Sequence, residues 1–259
     1  MYSKKMPHDP RSARTMRIAA AAGWLILCFA CIPTCVQAAE SLQWSITPYL
    51  WASQTKVDLE FRGDPVGGDT ISFNDLLDQL DTAFMIHAEA GRGNWSAFAD
   101  LTYLETSDTR DRPVLEVAVD SEVTVLDAGM AWWPGGVGSS LSVIGGMRYS
   151  GFDDRYRVNL EGNPVTTLRN TNDYYDALLG VRYRFDLGER WALMTHADYS
   201  MGDSEGTWLI RANLAWTVGK RRMNRLVLGY QFKEAEFESG DVRTDYSYHG
   251  PMAGFNFRF

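Results

Sequence analysis

His196 and Asp198 are the residues of this chain whose types and spacing best suit acid–base chemistry. They lie two positions apart, so in a β-strand both side chains point to the same face and can share a hydrogen bond. Covalent catalysis would also need a nucleophile, and the sequence places no serine beside the pair. His87 occupies a comparable mid-strand position, and His249 is a single histidine near the upper end of the last predicted strand. An enzyme that works at the external rim of the fold stays an open alternative.

Charged residues of both signs recur on this same face of the alternating segments. Five acids stand against five arginines, so their signs balance. Because an unpaired charge is costly in a confined site of low dielectric constant, this balance favours mutual pairing. Arginine suits the role since its fork matches a carboxylate and keeps its proton. The predicted lumen charge network comprises Glu89, Asp100, Asp127, Arg148, Asp176, Arg182, Arg184, His196, Asp198, Arg211 and Arg258, with His87, Gln231 and Asn256 on the same face.

No motif for a cofactor or a metal ion is present in the sequence. There is no glycine-rich phosphate loop, no His-x-x-x-His zinc pair and no calcium loop. All three cysteines, Cys28, Cys31 and Cys35, precede residue 38. The chain after that point therefore has no disulfide, no thiolate nucleophile and no cysteine metal site. We predict no catalytic, cofactor-binding or metal-binding residues.

The elements that position these residues are long alternating segments, joined in turn by tight turns and by longer polar loops. Segments joined by such short turns must be antiparallel neighbours. The predicted strands are 41–53, 82–91, 95–105, 114–133, 141–152, 173–187, 191–200, 206–219, 225–237 and 245–259. The predicted loops include 106–113, 153–170 and 238–243, and the turns include Lys220–Asn224. Ten strands, within a range of 8 to 12, form the expected barrel.

The two faces of the predicted strands differ in polarity. In the segment from Gly206 to Gly219, Trp208, Ile210, Leu214 and Trp216 share one face, and Arg211 lies on the other. A soluble up-and-down barrel would turn its apolar face inward. Full charges on the second face instead predict a polar lumen and an outer surface in contact with lipid. Aromatic residues near strand ends suit the interfacial girdles of such a barrel, namely Trp95, Tyr103, Trp132, Trp191, Tyr199 and Trp216.

The last fifteen residues end in three aromatic residues at period two, Phe255, Phe257 and Phe259. In this respect the chain resembles the small outer-membrane β-barrel proteins of Gram-negative bacteria. In those proteins a C-terminal strand that ends in Phe is the signal that the barrel-assembly machinery reads. The resemblance implies that these three residues form the assembly signal. It also implies a location in the outer membrane, contact with its lipid and lipopolysaccharide, and help from periplasmic chaperones.

The N-terminus has the pattern of a cleaved secretory signal over residues 1–38. Five basic residues precede an apolar run from Ile18 to about Ile32, and small residues follow at Val36 and Ala38. The run is shorter than the roughly 20 residues that a spanning helix needs. Removing 1–38 takes away five basic residues and one acid, which changes the net charge from −8 to −12. Nucleic acid is therefore not an expected partner, and residues 39–259 form one barrel domain.

Two local patterns add detail to this all-β prediction of a closed antiparallel transmembrane barrel. Residues 72–80 have apolar residues at helical spacing behind Ser72, which predicts a short helix in the first external loop. It could cover the barrel mouth or merely pack against strands. Val117, Val119, Val123 and Val125 have the opposite parity to Leu126, Ala128, Met130 and Trp132, which predicts a bulge or a change of phase near Leu126, with the upper part of the strand above the bilayer. We expect a structural or narrow-pore envelope protein, with an omptin-like or lipid A-modifying barrel enzyme as the alternative.

Overall fold

A computed structural model of the chain describes residues 41–112, 115–160, 163–219 and 223–259. The predicted secretory signal and most of the turn at Lys220–Asn224 lie outside these ranges. The elements that the structure describes are β1 (Gln43–Trp51), β2 (Gln54–Phe61), β3 (Asp64–Ile71), α1 (Phe73–Gln79), β4 (Leu80–Arg92), β5 (Trp95–Arg112), β6 (Leu115–Trp132), β7 (Leu141–Leu160), β8 (Asn163–Asp186), β9 (Trp191–Gly202), β10 (Gly206–Val218), β11 (Asn224–Ser239) and β12 (Val242–Arg258).

Ten of these strands form a closed antiparallel barrel, as predicted. Strands β4 to β12 pair in chain order, and β1 joins β4 on one side and β12 on the other. The described tight turns lie at one end of the barrel together with Ser41 and Phe259, and we call it the periplasmic end. Because every wall strand has two neighbours, the sheet closes on itself, with β1 and β4 paired from Gln43 to Pro48.

Strands β2 and β3 are an extension of the first strand beyond the barrel wall. Strand β12 pairs with β1 through its C-terminal half and with β2 from Val242 to His249, and β3 then pairs with β2. At the junction, a side-chain carbon on Gly250 would lie 1.9 Å from the carbonyl oxygen of Ala52. Glycine therefore allows β12 to pass close to the break in the first strand. Val57, Leu59 and Phe61 lie on this extension of the first strand.

Helix α1 begins where the sequence predicted a serine cap. The amide of Asp75 donates to Ser72 Oγ at 3.3 Å, and the amide of Ser72 donates to Asp75 Oδ2 at 3.1 Å. These reciprocal bonds form a capping box. The hydrogen bonds from Ser72 lower the pKa of the Asp75 carboxyl below its ordinary value, because they stabilise the charged form. A role for α1 as a lid stays a prediction.

The outer surface of the barrel carries the apolar face. Ile210 and Leu228 have 53% and 52% of their surface exposed, whereas Arg148 on the inner face has 1%. Aromatic pairs stack on the outside at two levels, Trp191 with Trp216 at the periplasmic end and Trp208 with Phe232 above. Eight residues separate the two levels on β10. At about 3.4 Å per residue and a tilt of about 40°, they span about 21 Å, close to the ~25 Å apolar band of such barrels.

Several strands are longer than the sequence predicted. The segments expected to be loops at 106–113, 153–170 and 238–243 are largely paired extensions of β5, β7, β8, β11 and β12. Their polar residues suggested loops, but a strand that stands in water is polar on its outer face. Of the two explanations that the sequence offered for the valines of β6, the bulge near Leu126 is wrong. The register runs without a shift from Val125 through Leu126 to Asp127 on both sides of β6.

The valines of β6 keep one parity because the inner face of the barrel changes character along its length. Above the charged residues, side chains from strands that are not neighbours meet across the interior: Phe237 of β11 lies 4.5 Å from Tyr174 and 5.3 Å from Phe152, between ring centroids. Val123 and Val125 point to this same interior. We call these residues, with Tyr246 and Tyr248, the upper aromatic core. Its outer surface is charged, as in the exposed pair of Arg157 with Asp120.

Candidate functional site

Arg148 lies at the centre of the charged part of the lumen. Its Nε and Nη2 donate to the two oxygens of Asp127, each at 2.7 Å, and Nη2 also donates to Asp198 Oδ1 at 3.0 Å. Nη1 donates to Ser200 Oγ at 3.3 Å. Strands β6, β7 and β9 supply these groups, so the guanidinium links residues that are not adjacent in the sheet. A fork with both arms on one carboxylate is the strongest form of this contact.

His196 and Asp198 share the hydrogen bond that their spacing suggests. His196 Nε2 lies 2.6 Å from Asp198 Oδ2, and Asp198 also accepts from Arg148. The pair is inside the lumen, below the upper aromatic core and away from the external rim. Within the described ranges, no serine or threonine hydroxyl makes a hydrogen bond with His196. The geometry uses this histidine to hold Asp198 and gives it no nucleophile to activate.

A second chain of contacts crosses the lumen from β8 to β4. Arg182 Nη1 donates to Glu89 Oε2 at 2.9 Å, and His87 lies 3.5 Å from Glu89 and 3.1 Å from Asp100. Tyr49 OH donates to Asp100 Oδ1 at 2.6 Å, which completes the chain on β1. Tyr49 was not among the predicted residues, although its parity on the first strand could have placed it inside.

Apolar side chains fill the space between these two chains of contacts. Phe98, Ile144 and Leu178 form a buried cluster, and the guanidinium of Arg182 lies 4.8 Å from the ring centre of Phe98. The cavity that remains among them has a volume of about 30 Å³. Gly129 and Gly146, which pair across β6 and β7, approach so closely that a side-chain carbon on either would meet the backbone of the other strand. We call this set, with the two chains of contacts, the central layer.

The other predicted residues do not all join the network. Asp176 accepts from the amide of Ser204 at 2.9 Å and from its hydroxyl at 2.6 Å, so it fastens the β9–β10 loop instead of pairing with an arginine. Arg211 donates to Gln231 Oε1 at 2.6 Å. Arg184 donates to the carbonyl oxygen of Gly138 at 2.7 Å and approaches Asp186 at 3.0 Å. The remaining predicted residues, Asn256 and Arg258, lie near the periplasmic end, where Asn256 donates to Thr47.

A larger cavity, of about 620 Å³, lies between the central layer and the periplasmic end. We call it the lower cavity. Arg182, Arg184, Arg211 and Arg258 line it, together with Arg225, which the sequence analysis did not select. Arg225 is the first residue of its predicted strand, beside a basic turn, and that position suggested a surface residue. Parity with Val227 and Gly229 could have placed it inside.

The three terminal aromatic residues take different positions. Phe257 and Phe259 are 40% and 55% exposed on the outer surface, and Phe255 packs 4.7 Å from Phe257 between ring centroids. Phe259 stacks on Trp44 of β1 at 4.2 Å, across the seam that closes the barrel. Their recognition during assembly stays a prediction.

The described residues contain neither a membrane-spanning helix nor a cluster of metal ligands. None of their helices is both long and apolar enough to cross a membrane. Across the same residues, no group of three or more His, Cys, Asp or Glu is placed to hold a metal ion.

The chain is similar in fold to solved barrels of Gram-negative outer membranes. The outer membrane protease OmpT from Escherichia coli matches at 10% identity with a TM-score of 0.50, over 87% of this chain and 99% of that chain. The transport unit of the autotransporter AIDA-I from E. coli matches at 10% identity with a TM-score of 0.46, over 92% of this chain and 96% of that chain. Ail, the attachment invasion locus protein of Yersinia pestis, matches at 9% identity with a TM-score of 0.39, over 85% of this chain and 100% of that chain.

These likenesses concern the fold alone. Sequence identities of 9% to 10% are too low to transfer an activity to this chain. No protein-family model and no curated protein matches the chain.

Proposed function

We propose that this protein, an integral β-barrel of the bacterial outer membrane, is a structural envelope protein whose bore is closed by its own side chains. The central layer carries the proposal. Arg148 is 1% exposed and is held by two carboxylates from different strands, which supports a filled interior at this level. The apolar cluster beside it leaves about 30 Å³, room for a water molecule but not for a hydrated solute.

Strand number supports the same conclusion. Barrels of about 8 strands are filled by their own side chains, and those of 16 to 18 strands leave an aqueous channel. Ten strands lie near the filled end of this range. The ion pairs also hold together strands that are distant in the sheet, which gives the charged residues a structural purpose.

Planar-bilayer recording of the refolded protein tests the closed bore. We expect the unsubstituted protein to be silent. The double variant Arg182→Ala/Phe98→Ala removes a stacked pair from the central layer and should give steady single-channel openings. The matched variant Tyr183→Ala/Phe84→Ala removes comparable volume from the lipid face and should stay silent. Heat-modifiable migration on a gel would establish that each variant is folded.

Either of two results would contradict the proposal. Steady openings of the unsubstituted protein would mean that the bore is a narrow pore, the other form that the sequence suggested. Silence of the folded Arg182→Ala/Phe98→Ala variant would mean that these side chains are not what closes it.

The partners belong to the same proposal. The exposed apolar belt contacts acyl chains of phospholipid and lipopolysaccharide, and the terminal strand is the segment that the assembly machinery recognises. Phe259 supports this second role, since it stacks on Trp44 at the seam between the first and last strands. Phe259→Ser should slow insertion by the reconstituted machinery while spontaneous refolding in detergent continues. Equal insertion rates for both proteins would remove Phe259 from the signal.

A further inference from the structure

The lower cavity has a strong excess of positive charge. Five arginines line it, and within the described residues Glu89 is the single acid that does. Each arginine is partly buried, so its charge is only partly hydrated. The lumen as a whole looked balanced in the sequence, but the structure separates its signs. The acids gather around Arg148, and the arginines gather below. The lining arginines are Arg182, Arg184, Arg211, Arg225 and Arg258.

Most of these arginines lack a carboxylate partner. Arg182 Nη1 lies 2.9 Å from Glu89 Oε2, and Arg184 Nε lies 3.0 Å from Oδ1 of the exposed Asp186. In the part of the chain that the structure describes, no carboxylate forms an ion pair with Arg211, Arg225 or Arg258. Arginine cannot relieve such a position by losing its proton.

Three of the arginines converge on one place near the periplasmic end. Arg184 Nη1 donates to the carbonyl oxygen of Gly138, and a side-chain carbon on Gly138 would lie 3.7 Å from Arg258 Nη2. Arg225 pairs across the ladder with Asn256, two residues before Arg258 and on the same face. Residues in this diagonal relation are near enough for long side chains to reach a common ligand.

The rest of the lining suits a small organic molecule. Its volume of about 620 Å³ lies in the range of ligand pockets, about 300 to 1,000 Å³. Trp133, Met194 and Met252 supply apolar surface. Asn213 and Asn256 add amide groups to the lining.

We propose that the lower cavity binds a polyvalent oxyanion, a small soluble molecule with phosphate or carboxylate groups that enters from the periplasmic end. Guanidinium groups recognise such oxygens by charge-assisted, often paired hydrogen bonds. The site lies below the central layer, so it does not depend on whether the bore conducts. A lipid phosphate offers the same chemistry, but β1 and β4 are paired from Gln43 to Pro48, beside this cavity, which gives a membrane lipid no lateral entry there.

Isothermal titration of the full folded protein with pyrophosphate, in phosphate-free maltoside micelles at low ionic strength, tests the site. We expect saturable binding. The Arg225→Met/Arg258→Met variant should weaken it about a hundredfold or more, since two charged hydrogen bonds to the ligand are lost. The control Arg157→Met removes one positive charge from the outer surface above the membrane. It should leave the affinity within about twofold of that of the unsubstituted protein, since an exposed charge at a distance from the cavity interacts weakly with the ligand.

The possible outcomes separate clearly. An absence of saturable binding would overturn the proposal, and so would equal weakening by Arg157→Met, which would indicate a general effect of net charge. Competition by phosphatidic acid in mixed micelles would overturn the soluble source. Binding that is lost in the double variant, kept in the control and unaffected by phosphatidic acid would establish the site.

Discussion

The part of the barrel within the membrane and the part above it are built from the same strands with opposite polarity. Within the membrane, Arg148 and Asp127 face inward and Leu228 faces outward. Above it, Phe237 is 6% exposed in the interior, and Arg157 pairs with Asp120 on the outside. The alternation of side chains does not change along a strand, and what changes is the solvent around the wall. Lipid demands an apolar exterior, while water allows the aromatic residues to turn inward.

The largest expected effect comes from placing the same residue in each interior. Arg148→Met should destabilise the protein by about 3 to 5 kcal/mol, because Asp127 and Asp198 would both lose the guanidinium that compensates their charge inside the lumen. Phe237→Met in the upper aromatic core should cost about 1.5 kcal/mol or less, because it exchanges one apolar side chain for another of similar volume. Urea unfolding in lipid vesicles measures both. Equal losses would mean that the two interiors do not differ in the way described.

A smaller effect is expected from placing one charge at two heights on the outer face of β11. Leu228→Arg puts a guanidinium into the apolar belt and should cost about 2 to 4 kcal/mol if the position is near the bilayer midplane. Glu238→Arg, ten residues further along the same face, should change stability by about 0.5 kcal/mol or less because that position is in water. The same unfolding assay applies. A cost at Glu238 as large as that at Leu228 would place the upper strands in lipid.

The closed barrel, its outward face and helix α1 could be predicted because each depends on local sequence. Ile210 and Arg211 alternate on β10, and Ser72 caps a run with helical spacing. The lengths of the strands could not be predicted by the same route. Above the membrane the outward side chains of a strand are no longer apolar, so the charged segment around Arg157 suggested a loop. The same change of solvent made the valines of β6 suggest a bulge where the register is continuous.

The arrangement of charges inside the lumen depended on contacts that no local pattern contains. The sequence identified Asp176 and Arg148 as inward residues. It did not indicate that Asp176 would accept a hydrogen bond from Ser204, or that Arg148 would pair with Asp127 and Asp198. It also left out Arg225, which shares the lower cavity with Arg258. Partners across a barrel are set by the stagger between strands, and a shift in that stagger would exchange them.

The order of residues alone therefore determined which side of each ribbon meets lipid, because the two-residue period of a strand is fixed by its backbone geometry. Closure of the wall decided the rest. It brought acids from β6 and β9 onto a single guanidinium and left three arginines around a shared space, since groups far apart in the chain become neighbours only when the first and last strands join.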